Sequence, residues 1–164
     1  EKFTEWLNDF ETTDYLGRSG ILTTLDGEKK YLEQNSSQEA SFVIVTIKDN
    51  KMIGTVSLEN INHINRCATL GIFIGNKEFR SKGYGTEAIK LISEYGFKYL
   101  NLHSIKLDLL SANKRAHKCY LKCGFKDTGS SREEIYLNGK YYDKLHMDIL
   151  ENEFEGGCIK NKNI

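Results

Sequence analysis

Residues 67–110 constrain this chain more than any other stretch. CATLGIFIG (67–75) is an apolar, strand-length run, and NKEFRSKGYG (76–85) is a polar loop ending in two glycines. TEAIKLISEYGFKYLN (86–101) then repeats Ala88, Ile89, Ile92, Tyr95 and Tyr99 at helical spacing, and SIKLDLL (104–110) alternates through Ile105, Leu107 and Leu109. Strand, long helix and strand in that order predict one parallel, right-handed crossover.

The flanks are of another kind. SFVIVTIK (41–48) and MIGTVSL (52–58), joined by a turn at Asp49-Asn50, read as paired strands leading into 67–75. Gly71 inside that third strand marks a bulge or a close backbone approach. A helix over 114–122 stops at Gly124, a good C′ residue, and Phe125 re-enters the core. REEIYLNGKYYDKLHMDIL (132–150) reads as two strands around a type I′ turn at Asn138-Gly139. Ahead of the strands, Thr4–Phe10 predicts a short helix with Trp6, Leu7 and Phe10 on one side. Thr24 caps a second, carrying Leu25, Tyr31 and Leu32 to about Asn35. The expected fold is therefore α+β (mixed α/β): a mostly antiparallel sheet flanked by helices. Residues 1–150 form one expected domain, and 151–164, lacking periodicity, a frayed tail.

The 164 residues suit one domain, and 23 Lys+Arg against 23 Asp+Glu give no net charge. That balance counts against a nucleic-acid partner, and no long uncharged apolar run suggests a membrane span. Four cysteines without a signal-peptide pattern fit reduced thiols and a cytoplasmic location. Cys119 and Cys123 share a helix face, but no second ligand pair completes a metal site, so none is expected.

The chemistry lies in the loop Arg80-Ser81-Lys82-Gly83-Tyr84-Gly85. Glycines at a helix N-terminus expose unpaired N–H groups at the positive end of the helix dipole, which attracts phosphate oxygens. Arg80 and Lys82 add charge beside it. A turn with no ligand would use glycines equally well. A dinucleotide fingerprint is the rival, since Gly83-x-Gly85-x-x-Ala88 fits it and Asp108 follows at a similar remove. Against it stand the long loop before Gly83, the mid-strand place of Asp108 and the antiparallel hairpin where a second βαβ half is needed.

RSKGYG after GIFIG resembles the Arg/Gln-x-x-Gly-x-Gly/Ala signature of the GNAT superfamily of acetyl-CoA-dependent N-acetyltransferases. Asn113-x-x-Ala116-x-x-x-Tyr120-x-x-x-Gly124-Phe125 is similar to that superfamily's second cofactor motif. WLND near the start and NGKYYD near the end resemble the branch of ribosomal-protein-alanine and polyamine acetyltransferases. The resemblance covers about residues 4–150 and implies a sheet splayed at an acetyl-CoA site. Backbone amides of Arg80, Ser81, Lys82, Gly83, Tyr84, Gly85 and Thr86 would hold the pyrophosphate. Phe73, Ile74 and Gly75 would pair with the pantetheine arm, Asn113 would hydrogen-bond it, and Ala116 belongs to the same motif. Tyr120 would stand near the thioester sulfur as the catalytic acid. Such sequences begin with a strand ahead of the first helix, so either that strand was removed or another segment covers the sheet edge. Monomer and homodimer are both open.

Direct transfer requires a neutral amine, stabilisation of a tetrahedral oxyanion and a leaving thiolate. Strand N–H groups suit the second task and a phenol the third. No base stands out. Similar sequences place a glutamate where this chain has Thr69, which leaves water relayed to Glu59, Asp108 or Glu134. The missing glutamate tilts the reading towards a low-pKa acceptor such as a protein N-terminal α-amine. The alternatives are a polyamine, aminoglycoside or other small amine, or a non-catalytic acyl-CoA-binding module. His63 reads as exposed, and His103 as a packing residue. Asp143 matches a recurrent acid with no evident task.

Overall fold

The structure is a computed structural model and describes residues 2–16, 22–34 and 39–159. Helices are α1 (Lys2–Leu7), α2 (Phe10–Thr13), α3 (Leu25–Gln34), α4 (Tyr84–Lys98) and α5 (Lys114–Lys122). Strands are β1 (Ala40–Val45), β2 (Met52–Asn62), β3 (Cys67–Ile74), β4 (Ser104–Leu110), β5 (Lys126–Leu137) and β6 (Lys140–Leu150).

The six strands form one sheet in the order β1-β2-β3-β4-β6-β5. Every pairing is antiparallel except β3–β4, the crossover through α4 that 67–110 predicted. Asn138 and Gly139 both have positive φ, 49° and 80°, as the type I′ turn requires. One parallel step in an otherwise antiparallel sheet leaves no second βαβ half, which disposes of the dinucleotide fold.

Alternation along the strands divides the sheet into two faces. Val56 and Leu58 of β2, Ala68 and Leu70 of β3, Ile105, Leu107 and Leu109 of β4, and Met147 and Ile149 of β6 are buried on one face. Ala88, Ile89, Ile92 and Phe97 of α4 close over them, with Tyr120 of α5 and its C-cap Cys123 beside Phe125. The opposite face carries Ser57, Glu59, Thr69, Gly71, Phe73, Lys106, Asp108 and His146. There α1 lays the Trp6 ring edge-on to Phe73 at 6.2 Å.

β3 and β4 pair only through Cys67–Ser104, Ala68–Ile105 and Thr69–Lys106. Beyond that, β3 stays with β2 as far as Ile74, and β4 stays with β6 as far as Leu110. Two half-sheets joined at one end therefore open into a wedge, the splay that the resemblance implied.

Three local expectations are corrected. The first helix breaks at Asn8, whose side chain accepts from Thr23 N at 2.8 Å and donates to Thr23 O at 2.9 Å. Phe10 consequently leaves the apolar side and is 51% exposed. Gly71 lies in regular register with Ser57, so it is no bulge; side chains, not backbone, crowd it. Residues 151–159 are held, not frayed: Phe154 packs on Phe97 at 5.4 Å, and Glu94 binds the backbone of 157–159. Thr24 does cap α3, accepting from Gly27 N at 3.1 Å. Asn35 lies outside the described residues, and the side chains of Tyr31 and Leu32 are likewise not described.

Candidate active site at the strand wedge

The wedge opens beside the N-terminus of α4. Gly83 is the cap at φ 90°, left-handed backbone that a side chain disfavours, and Ser81 lies at φ 59°. This path aims the first N–H groups of α4 outward, where the helix itself supplies them no partner. Ahead of the cap, Asn76 accepts from Glu78 N at 3.1 Å and closes a short 3₁₀ turn.

Arg80 is placed differently from the sequence expectation. Its Nε donates to Ile74 O at 2.9 Å, and its Nη2 donates to Gly75 O at 3.2 Å and Thr12 Oγ1 at 2.9 Å. The guanidinium therefore ties the loop to the end of β3 and to α2, shaping the Gly83 turn instead of reaching into it. Two carbonyls expected to face pantetheine, those of Ile74 and Gly75, already accept from Arg80. Trp6 covers Gly75 so closely that a Cβ there would lie 2.2 Å from the indole. Lys82 Nζ sits 5.8 Å from the centre of the Phe79 ring, which stacks edge-on to Tyr84. Lys82 is thus an exposed cation at the turn.

The second motif lies on α5. Asn113 caps that helix, its side-chain oxygen accepting from Ala116 N at 3.1 Å, so the amide NH₂ is its remaining group for a ligand. One turn on, Cys119 Sγ and Thr86 Oγ1 hydrogen-bond at 3.2 Å, and Cys123 Sγ donates to Thr86 O at 3.7 Å. These contacts pin α5 to the first turn of α4. Contact with Cys123 and Thr86, with Lys122 and Arg115 nearby, holds the Cys119 thiol below its usual range. Tyr120 is 9% exposed, its ring 6.0 Å from Phe125. Burial, then Cys119 and Cys123, push its phenol up, so it stays protonated at any working pH. Its packing is that of a core aromatic.

The sheet face opposite α4 also holds His146, which the sequence did not single out, beside candidates that it did. His146 joins Asp108 at 2.7 Å through Nδ1 and Ser131 at 2.8 Å through Nε2, across three adjacent strands. Only the cross-strand register places them together. Glu134 is taken by Lys144, whereas Glu59 is met by Ser57 Oγ at 2.7 Å. Asp143 gains a task, since its carboxylate accepts from Glu133 N at 2.9 Å where β5 bulges with φ 52°. His63 and His103 are both exposed.

A splayed strand pair, a helix N-terminus with no side-chain cap at its mouth and a capped helix alongside are the arrangement that the resemblance implied. Comparison with known proteins agrees. Residues 1–126 match the model of the acetyltransferase (GNAT) domain. Spermidine N(1)-acetyltransferase of Vibrio cholerae is 36% identical over 125 residues, 76% of this chain and 70% of that protein. The Escherichia coli K12 enzyme of that name is 34% identical over 120 residues, 73% of this chain; the alignment spans 63% of its length, less than two thirds. The crystal structure of the Vibrio cholerae spermidine N-acetyltransferase with CoA and spermine superposes with a TM-score of 0.85. That match has 29% identity and covers 92% of this chain and 89% of that one.

The chain belongs to the GNAT acetyltransferase family. Its class is acetyl-CoA-dependent N-acetyltransferase, with acetyl-CoA as cosubstrate. Among the described residues, no helix is long and apolar enough to cross a membrane.

Proposed function

We propose that this protein transfers acetyl from acetyl-CoA directly to a primary amine of a polyamine such as spermidine or spermine. The observation that carries the reading is the wedge that opens after Thr69 and Lys106 beside the N-terminus of α4. The relatives' acceptor turns the choice from an α-amine to a polyamine.

In this reading backbone N–H groups from Ser81 to Thr86 take the pyrophosphate. Lys82 adds charge, and Arg80 holds the loop in shape. Pantetheine runs along the wedge edge of β3 at Phe73 and Ile74, up to the end at Gly75, with the Asn113 amide donating to it and Ala116 at its side. β3 N–H groups inside the wedge face the thioester oxygen and stabilise the oxyanion. Tyr120 donates a hydrogen bond to the departing sulfur. Its raised phenol is a weaker acid than a thiol, so it stabilises the thiolate without fully surrendering its proton.

The test is release of CoA thiol with spermidine, spermine and an α-amine peptide as acceptors. Polyamine-dependent release, with a monoacetylated polyamine by mass spectrometry, is the expected result. Turnover of the peptide alone would contradict the acceptor, and turnover of none would contradict catalysis. Tyr120→Phe should lower kcat about 10²-fold while leaving acetyl-CoA affinity unchanged.

A further inference from the structure

The cradle and the sulfur's partner leave one task unfilled, removal of a proton from the acceptor. A primary ammonium with a pKa of about 10.4 is almost wholly protonated at pH 7. Thr69, at the last β3–β4 pair where the wedge begins, has no basic group.

Glu59 stands directly opposite Thr69 in the β2–β3 ladder. Its side chain leans along β3 to lie over Gly71, where a Cβ would come within 2.7 Å of Glu59 Oε1 and 2.8 Å of Ser57 Oγ. Gly71 has no positive φ, so what calls for glycine is space and not backbone conformation. Ser57 Oγ donates to Oε1 at 2.7 Å, fixing one oxygen and leaving Oε2 for a proton. Gly71 is the second residue past the last β3–β4 pair. The carboxylate thus lies over the strand that lines the wedge, on the face opposite α4.

We propose that Glu59 accepts the proton of the acceptor amine, held by Ser57 in the space that Gly71 leaves open. This rests on the wedge being the acetyl-transfer site. The ammonium gives one proton to Glu59 Oε2, the freed lone pair attacks the thioester carbonyl carbon, the C–S bond breaks, and the acylated nitrogen sheds its second proton to water. CoA leaves as a thiolate stabilised by Tyr120, and Glu59 returns its proton to water. Among the described residues, Glu39 lies just before β1, Lys106 pairs with Thr69 at the closed end of the wedge and Asp108 follows two residues on along β4, while the β3 neighbours Thr69, Gly71 and Phe73 carry no charge. Burial, then the Glu59 carboxylate beside it, push the Glu39 carboxyl up. Two crowded carboxylates favour a cationic acceptor. Of the other candidates, Asp108 is engaged by His146 and Glu134 by Lys144.

The experiment is steady-state acetylation of spermidine from pH 6.5 to 9.5 by wild type, Glu59→Gln, Gly71→Ala and Asp108→Asn. Thermal unfolding with and without acetyl-CoA accompanies each. Glu59→Gln should lose about 10²-fold in kcat at pH 7. The loss should shrink towards pH 9.5, where solution itself supplies neutral amine. Gly71→Ala keeps Glu59 but displaces its flexible carboxylate, so it should reproduce that pH-dependent loss. Both variants should retain the stabilisation by acetyl-CoA. An undiminished rate in Glu59→Gln, or a loss equal at every pH, overturns the proposal. So does a pH-dependent loss confined to Asp108→Asn, which would assign the task there. If wild type transfers no acetyl, the acetyl-transfer reading falls first and this one with it; wild-type turnover that Glu59→Gln leaves intact removes Glu59 alone.

Discussion

Helix α4 meets two clusters of backbone amides, and they differ in who supplies the anion. At its N-terminus the first N–H groups after Gly83 have no partner within the helix, and in the function proposed above they take the CoA pyrophosphate. Three turns on, the Glu94 carboxylate, 1% exposed, accepts from Gly157 N at 3.2 Å, Cys158 N at 2.5 Å and Ile159 N at 2.8 Å. Lys98 Nζ joins it at 2.6 Å. The donor chemistry is the same, but a built-in anion contributes to folding, whereas an exchangeable one contributes to binding. The Lys98 ammonium and those three amides hold the Glu94 carboxyl down to about 2, against the opposing effect of burial.

Removing the built-in anion has the largest expected effect. Glu94→Gln loses charge-assisted hydrogen bonds of about 2–3 kcal/mol in all. In a chain of this size that lowers Tm by about 5–10 °C, while the acetyl-CoA site stays intact. The acid limb checks the same point. A carboxyl depressed in the folded state stabilises above its ordinary value and loses that contribution as pH falls. Wild type should therefore lose stability between about pH 4.5 and 2 through Glu94, a component absent from Glu94→Gln in acid-unfolding curves.

Closing the exchangeable site comes next. Gly83→Val places a β-branched residue in left-handed backbone at a cost of about 1–2 kcal/mol. It should weaken acetyl-CoA by about tenfold in calorimetric titration, and added salt should weaken wild-type binding without touching the Glu94 contribution. The smallest effect belongs to Lys98→Ala. That side chain is 56% exposed, so its loss should leave the denaturant midpoint close to that of wild type. A larger shift would mean that the ammonium, not the amides, holds the tail.

What the sequence disclosed follows the same division. The Gly83 turn, α4 and the Asn138-Gly139 hairpin are local, and the shape of each was legible. Glu94 and the tail are 63 to 65 residues apart, with no periodicity to announce their contact. Arg80 carries the right charge for phosphate, yet three oxygen partners on β3 and α2 draw it inward, which only the folded loop determines. Glu59 was one carboxylate among three until register set it opposite Thr69 and Gly71 left room for it. His146 was invisible because its partners lie on β4 and β5.

The central claim is that the wedge and the α4 turn form an acetyl-CoA site. Thermal unfolding with acetyl-CoA, and separately with NADH, tests it most directly. At 100 times its dissociation constant acetyl-CoA should stabilise the protein by about 2.7 kcal/mol, with NADH giving no shift. Stabilisation by NADH alone, or by neither, would contradict the claim.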